Sequence, residues 1–237
     1  MRVVAVIPAR YGSTRFPGKP LVDIAGKPMI QRIFEQVSAC REIHEVLVAT
    51  DDERIFEAVH IFGGEAVMTS PDCPSGTDRV AQAIQERDAQ IVINIQGDQV
   101  VLDTRAVSDM VEELGRGIEM ATIAVHADAR DREDPNTVKV VCDSEGYALY
   151  FSRSPIPFER NPGAVQSLKH IGIYGFQRET LLRFTSLGQT PLEYSESLEQ
   201  LRALENGIRI RVILAQGEFF EINTPSDRER LLRLWQK

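Results

Sequence analysis

No apolar run in this 237-residue chain approaches the length of a membrane span. The opening apolar run, Val3 to Ile7, is too short for a signal peptide, and a cytoplasmic location is the expectation. Cysteine is scarce: Cys40, Cys73 and Cys142 are odd in number and lack C-x-x-C spacing, which argues against a disulfide framework or a zinc site. Positive charge is in the minority, 27 Lys and Arg against 35 Asp and Glu, so a general nucleic-acid binder is disfavoured. Two familiar phosphate loops are also missing. No G-x-G-x-x-G follows the first apolar run, which removes the dinucleotide fingerprint. Gly12 and Gly18 enclose five residues rather than four, and Pro20 stands where a Walker A loop needs Ser or Thr.

One further absence turns into a signal. No Asp or Glu occurs before Asp23, although the chain carries a net charge of −8. Val3 to Pro8 reads as a buried strand, and it empties into a loop bearing Arg10, Arg15 and Lys19 between glycines. A strand that ends in a cationic, N–H-rich loop is how α/β proteins hold phosphates. The substrate class this implies is polyphosphorylated, a nucleoside triphosphate being the natural choice.

The rest of the first half alternates strand and helix. Helix is expected from Pro28 to Ala39, strand from Glu45 to Ala49, and a helix capped by Asp51 or Asp52 and ended by Gly63-Gly64. A short strand follows at Ala66 to Met68, then a helix capped by Thr77 and running to Arg87, then a strand from Ile91 to Ile95. This rhythm predicts a mixed, mostly parallel central sheet flanked by helices, with ligands at the carboxyl ends of its strands. The second half reads as strands at Met120 to His126, Val138 to Cys142, Tyr147 to Ser152, Lys169 to Phe176 and Arg209 to Leu214. A helix is expected from Glu196 to Glu205, and Thr224-Pro225-Ser226-Asp227 has capping-box spacing for the last one. Hydrophobic content of 43% suits a single α/β domain over 1–237, with a small antiparallel excursion from about 119 to 185.

Asp98 follows the Gln96-Gly97 turn at a strand end. A carboxylate there, facing a phosphate loop, suits Mg2+, which takes few protein oxygens beside phosphate and water. Capping of the next turn is the plainer alternative. Ser75 to Arg79 joins a loop to a helix start and suits a base edge or a phosphate, although loop plus cap explains it nearly as well. Arg153, Lys169 and His170 form a second cationic cluster, and an arginine fork is the natural partner of a carboxylate. On composition alone His170 reads as a core histidine. Glu196 and Glu199 share a helix face, an arrangement that an exposed helix start also explains.

Nine blocks, in order, then carry a resemblance across nearly the whole chain: IPARYGSTRFPGKPL (7–21), GKPMI (26–30), VATDDERI (48–55), SGTDR (75–79), NIQGD (94–98), YFSRSPIPF (150–158), KHIGIYGF (169–176), LEQLRALENG (198–207) and NTP (223–225). The chain resembles the sugar-activating nucleotidyltransferases, above all the 3-deoxy-manno-octulosonate cytidylyltransferase family. The resemblance implies a nucleotide-diphospho-sugar transferase-like fold, a homodimer formed through the excursion, and Mg2+-dependent activation of a 3-deoxy-octulosonic acid by CTP for lipopolysaccharide assembly. It implies Lys19, Arg10, Arg15 and Asp98 as catalytic residues, with Ala9, Ser13, Ser75 and Arg79 at the nucleotide. It places Gln96, Arg153, His170, Tyr174, Glu199 and Gln200 at the sugar acid. A second metal ligand is implied at 223, where the family carries Asp and this chain has Asn223. Strand alternation puts Glu221 on the same face, either as the missing charge or as a solvent-facing side chain. Gln99, where many relatives have Glu, is another departure. An amino-substituted octulosonate, a nonulosonic acid, a sugar phosphate activated with UTP or TTP, and a silent nucleotide-sugar binder are the rival readings.

Overall fold

The computed structural model describes residues 1–12, 16–161 and 163–236. Although the sequence shows no linker, the chain gathers into two compact units, Met1–Ser108 with the segment from Gly217 onward, and Asp109–Gln216.

The first unit is built on β1 (Val3–Ala9), every residue of which is buried. The run of Val, Ile and Ala from Val3 to Ile7, ahead of Pro8, is what a parallel strand covered on both faces requires. A two-stranded hairpin of β2 (Asp23–Ile24) and β3 (Lys27–Pro28) leads into α1 (Met29–Ser38), with Pro28 as the residue before the first turn. There follow β4 (Glu45–Thr50), α2 (Glu53–Ile61), β5 (Glu65–Met68), α3 (Gly76–Ala83), β6 (Ile91–Asn94) and β7 (Gln99–Val101). Within this unit the strands run β6-β1-β4-β5, all parallel. The cap of α3 differs from expectation. Ser75 takes it, accepting from Asp78 N at 3.2 Å, so the helix begins ahead of Thr77 and ends at Ala83 rather than Arg87.

The chain passes to the second unit within α4 (Thr104–Gly115). There β8 (Met120–His126), α5 (Ala129–Glu133), β9 (Lys139–Cys142), β10 (Ala148–Ser152) and β11 (Leu168–Gln177) precede α6 (Arg178–Ser186), α7 (Pro191–Glu196), α8 (Gln200–Glu205) and β12 (Ile210–Leu214). The strand order is β10-β9-β11-β8-β12, with β12 parallel to β8 and the other ladders antiparallel. Those antiparallel ladders all lie within 119–185. The helix expected over 196–205 is broken in two, because Ser197 turns left-handed at φ 52° and ends α7. The chain then returns to the first unit for β13 (Phe220–Glu221), which pairs β7, and for α9 (Pro225–Trp235), held by the expected Thr224–Asp227 capping box.

Two glycines beside β1 separate conformational need from habit. A Cβ at Gly97 would stand 2.5 Å from the Pro8 carbonyl oxygen, whereas one at Gly76 would meet its nearest neighbour, Pro8, at 3.5 Å. Gly97→Ala is expected to cost about 1–3 kcal/mol of overpacking strain, a fall in Tm of several degrees, while Gly76→Ala stays within about a degree. Equal thermal melts for the two variants would refute this reading of the turn.

Candidate active site

The carboxyl ends of β1 and β6 open onto a cleft of about 370 Å³ lined by Ala9, Arg10, Lys19, Gly76, Gln96, Gly97 and Asp98 among others. Burial of β1 fixes where its chain emerges, and the tight Gly97 turn brings Asp98 to the same end. Gly18, left-handed at φ 70°, lets the loop turn into a short 3-10 segment, Lys19–Leu21, with Pro20 in its first turn. Lys19 Nζ donates to Asp98 Oδ2 at 2.9 Å, with the two side chains 15% and 25% exposed. A partly exposed pair of this kind contributes roughly 0–1 kcal/mol. Its significance is chemical: it sets a cation and a carboxylate side by side in the cleft. Arg10 is exposed, and its Nη2 donates to the Cys73 carbonyl at 3.1 Å. Among the described residues no carboxylate pairs with Arg10, so its charge faces the cleft unneutralised. Ser13 and Arg15, expected beside it, lie outside the described residues.

Ser75 donates through Oγ to Asp78 Oδ2 at 2.6 Å while capping α3. Arg79, expected at the nucleotide, is fully buried; its Nη2 meets Asp51 Oδ2 at 2.9 Å and its Nη1 donates to Thr69 Oγ1. The guanidinium therefore braces α3 against the end of β4. The aspartates at 51 and 52 divide their work accordingly: Asp52 caps α2, accepting from Arg54 N at 3.0 Å, and Asp51 holds Arg79.

The C-terminal return brings the metal candidates together. Ile222 N donates to the Asp98 carbonyl at 3.0 Å, which seats Asn223 one residue away. Asn223 Nδ2 approaches Glu221 Oε2 at 3.4 Å, and this turns Asn223 Oδ1 away from that carboxylate. Gln99 is buried, and its amide donates to the Val101 carbonyl at 2.7 Å; a carboxylate there would lose that bond. Asp98 Oδ1 and Asn223 Oδ1 are both hard oxygen donors of the kind Mg2+ accepts. Among the described residues no three His, Cys, Asp or Glu side chains converge on one point, so water and phosphate oxygens would have to complete the shell.

The second unit holds the other predicted residues. Arg153 Nε donates to the Glu196 carbonyl at 2.8 Å, and its other nitrogens reach the carbonyls of Pro135 at 3.2 Å and Ser197 at 3.4 Å. Its planar fork is thus fixed by neutral oxygens. The Glu196 carboxylate accepts from Ser152 Oγ at 2.6 Å and from Arg153 N at 2.9 Å. Burial works against that charge, but these bonds and the nearby guanidinium hold the carboxyl below the usual range. His170 Nε2 lies 2.9 Å from Thr122 Oγ1, between the rings of Phe151 at 5.0 Å and Tyr174 at 5.4 Å. Burial pushes the His170 imidazole down to about 3, so the ring is neutral near pH 7. Burial, with the Glu199 charge, raises the Tyr174 phenol well above its ordinary value. Gln200 is buried, and among the described residues its Nε2 has no hydrogen-bond partner. A buried amide without a partner is costly and marks a place where a polar ligand would be gained. Lys169, by contrast, pairs with Asp131 at 2.8 Å.

Lys139 and Thr122 escape the sequence reading. Lys139 is fully buried, with Nζ donating to the carbonyls of Asp134, Thr137 and Arg153 at 2.9, 2.6 and 2.5 Å. It ties the backbone of Arg153 to the turn before β9. A lysine or a threonine in a strand reads as solvent-facing, and only the buried register shows otherwise.

The cytidylyltransferase family model matches residues 4–210. A 3-deoxy-manno-octulosonate cytidylyltransferase of Trichlorobacter lovleyi is 48% identical, the match covering 96% of each chain. One from Geobacter sulfurreducens is 45% identical over 98% of each. Among solved structures, a CMP:2-keto-3-deoxy-manno-octonic acid synthetase complexed with CTP superposes with a TM-score of 0.94 at 43% identity, covering 100% of this chain and 99% of that one. A glucose-1-phosphate thymidylyltransferase from Bacillus anthracis, at 16% identity and a TM-score of 0.69, shares the fold. The chain belongs to the cytidylyltransferase family, with the 3-deoxy-manno-octulosonate cytidylyltransferases.

Proposed function

We propose that the chain transfers the cytidylyl group of CTP to a 3-deoxy-octulosonic acid, giving the CMP-sugar and pyrophosphate for lipopolysaccharide assembly. The observation that carries this is the Arg10–Lys19–Asp98 cleft, in a chain 43% identical over its full length to a synthetase solved with CTP.

The anomeric hydroxyl of the sugar acid attacks the α-phosphorus in line. A new oxygen–phosphorus bond forms, the bond to the bridging oxygen breaks, pyrophosphate leaves with that electron pair, and the hydroxyl proton is released. Arg10 and Lys19, with Arg15 from the same loop, neutralise the triphosphate and the charge growing on the leaving group. Ala9, Ser13 and the Ser75 turn flank the nucleotide, and Arg79 stiffens that turn from behind. Arg153 takes the sugar carboxylate through its prefixed fork. Gln96, His170, Tyr174, Glu199 and Gln200 take the hydroxyls. Asp98 and Asn223 would hold Mg2+, which supplies charge stabilisation at the phosphates when bound. Glu221 keeps a carboxylate beside Asn223, offsetting the charge that an amide lacks.

A homodimer through 119–185 is part of the same proposal. It is supported by Phe158 and Val165, apolar side chains 89% and 58% exposed in that segment. Three free cysteines, and no helix among the described residues long or apolar enough to cross a membrane, suit the cytoplasm.

Pyrophosphate release from CTP and Mg2+ should occur with Kdo or its 8-amino analogue, fall to background with sialic acid or no sugar, and fail with UTP. It should be lost in Asp98→Asn and without divalent cation. CTP binding with no release from any acid would instead favour the silent binder. Light scattering on a sizing column should give twice the chain mass, and Phe158→Asp should halve it; a monomer in both overturns the dimer. Because His170 is held neutral down to about 3, an unfolded state with an ordinary imidazole binds more protons as pH falls. Stability should therefore decline from about pH 6.5 towards 3, with a shallower slope in His170→Gln. Parallel slopes would contradict the burial argument.

A further inference from the structure

We infer that Thr122 is a positioning residue that locks His170 as the Nε2–H tautomer, so that Nδ1 is presented as an acceptor for a hydroxyl of the sugar acid. The inference rests on the functional reading above for the identity of that hydroxyl, and on local geometry for the tautomer.

The argument starts from a slip in register. β11 pairs β8 residue for residue from Leu168 opposite His126 to Ile171 opposite Ile123, and resumes with Tyr174 opposite Thr122. Gly172 and Ile173 are extra on β11, a bulge of two residues. Thr122, fully buried, faces this bulge, and its Oγ1 lies 2.8 Å from the Ile173 carbonyl oxygen and 3.3 Å from that of Ile171.

A hydroxyl carries one proton. An oxygen–oxygen separation of 2.8 Å is the ordinary length of an O–H···O bond. With no proton between them, the two oxygens would be acceptors facing each other in a dry interior. The Thr122 proton therefore lies towards Ile173. What Thr122 presents to His170 Nε2 at 2.9 Å is a lone pair, so that nitrogen must be the donor. Phe151, edge-on at 74°, and Tyr174 hold the ring plane in place. In a neutral imidazole with Nε2 protonated, Nδ1 has only a lone pair to offer. Among the described residues Nδ1 has no protein partner.

The consequence is a division of labour in recognition. A neutral ring presenting an acceptor does not pair with a carboxylate; it reads a hydroxyl donor. The carboxylate falls to Arg153, whose fork is already fixed by carbonyls. An analogue with its hydroxyl replaced by hydrogen at the position facing Nδ1 would lose this bond and leave the acceptor bare.

The test uses the full chain labelled with 15N-histidine. A long-range 1H–15N spectrum of the ligand-free protein at pH 7 should show the His170 ring, assigned by its loss in His170→Gln, in the Nε2–H pattern. Thr122→Ser should keep that pattern, and Thr122→Val should mix the two tautomers. Thr122→Val should also raise KM for the sugar acid about tenfold, the scale of one polar contact, with KM for CTP unchanged; the serine variant should restore it. An Nδ1–H or doubly protonated ring in the wild type overturns the inference, whatever the chain acts on and whether or not the valine variant folds. An unmoved KM in a valine variant that has lost the tautomer overturns the place of His170 at the sugar. Should the spectrum behave as stated while no sugar acid turns over, the functional reading fails and the lock stands.

Discussion

Everything at the cleft that holds Arg10, Lys19 and Asp98 depends on the complete burial of β1. Its seven residues are enclosed by β4 on one side and β6 on the other, both parallel to it. Such a strand has no freedom of register, because its hydrogen bonds run to two neighbours and its side chains are covered on both faces. Its carboxyl end is therefore a fixed point. The cationic loop begins there, and the Gly97 turn approaches the Pro8 carbonyl too closely for any side chain. The Lys19–Asp98 pair is the outcome of those two constraints meeting.

The second unit uses a different economy, that of polar groups buried with defined partners. Lys139 and Thr122 are each taken from water and bound to specific backbone or side-chain atoms, and the half-buried Glu196 carboxylate is held in the same way. Groups of this kind add little net stability, but they rigidify, since any displacement leaves a buried charge or carbonyl unpaired. The side chains they hold are Arg153 and His170. Gln200, buried with an amide that lacks a partner among the described residues, is the exception that points to a ligand.

Much of this was legible before any coordinates. β-branched runs such as Met120 to His126 came through as strands with the boundaries they have, and Thr224 announced its capping box. The cationic loop and Asp98 could be read from strand ends and charge alone. The failures have physical causes. The helix Thr104–Gly115 carries a buried stripe at Ala106, Val107, Met110, Val111 and Leu114, yet its start is marked only by Asp103, whose carboxylate accepts from Arg105 N. The break at Ser197 requires a left-handed serine, which no propensity announces. Arg79 has the composition of a ligand-binding arginine, and only burial reveals its commitment to Asp51. The bulge opposite Thr122 is a matter of register, and register belongs to two strands at once.

The central claim is that the cleft at the ends of β1 and β6 takes the triphosphate. A crystal structure of this chain grown with CTP tests it most directly. The account expects the phosphates within hydrogen-bond reach of Arg10 and Lys19, beside Asp98. CTP seated elsewhere, with Lys19 still bound only to Asp98 and Arg10 turned to solvent, would contradict it.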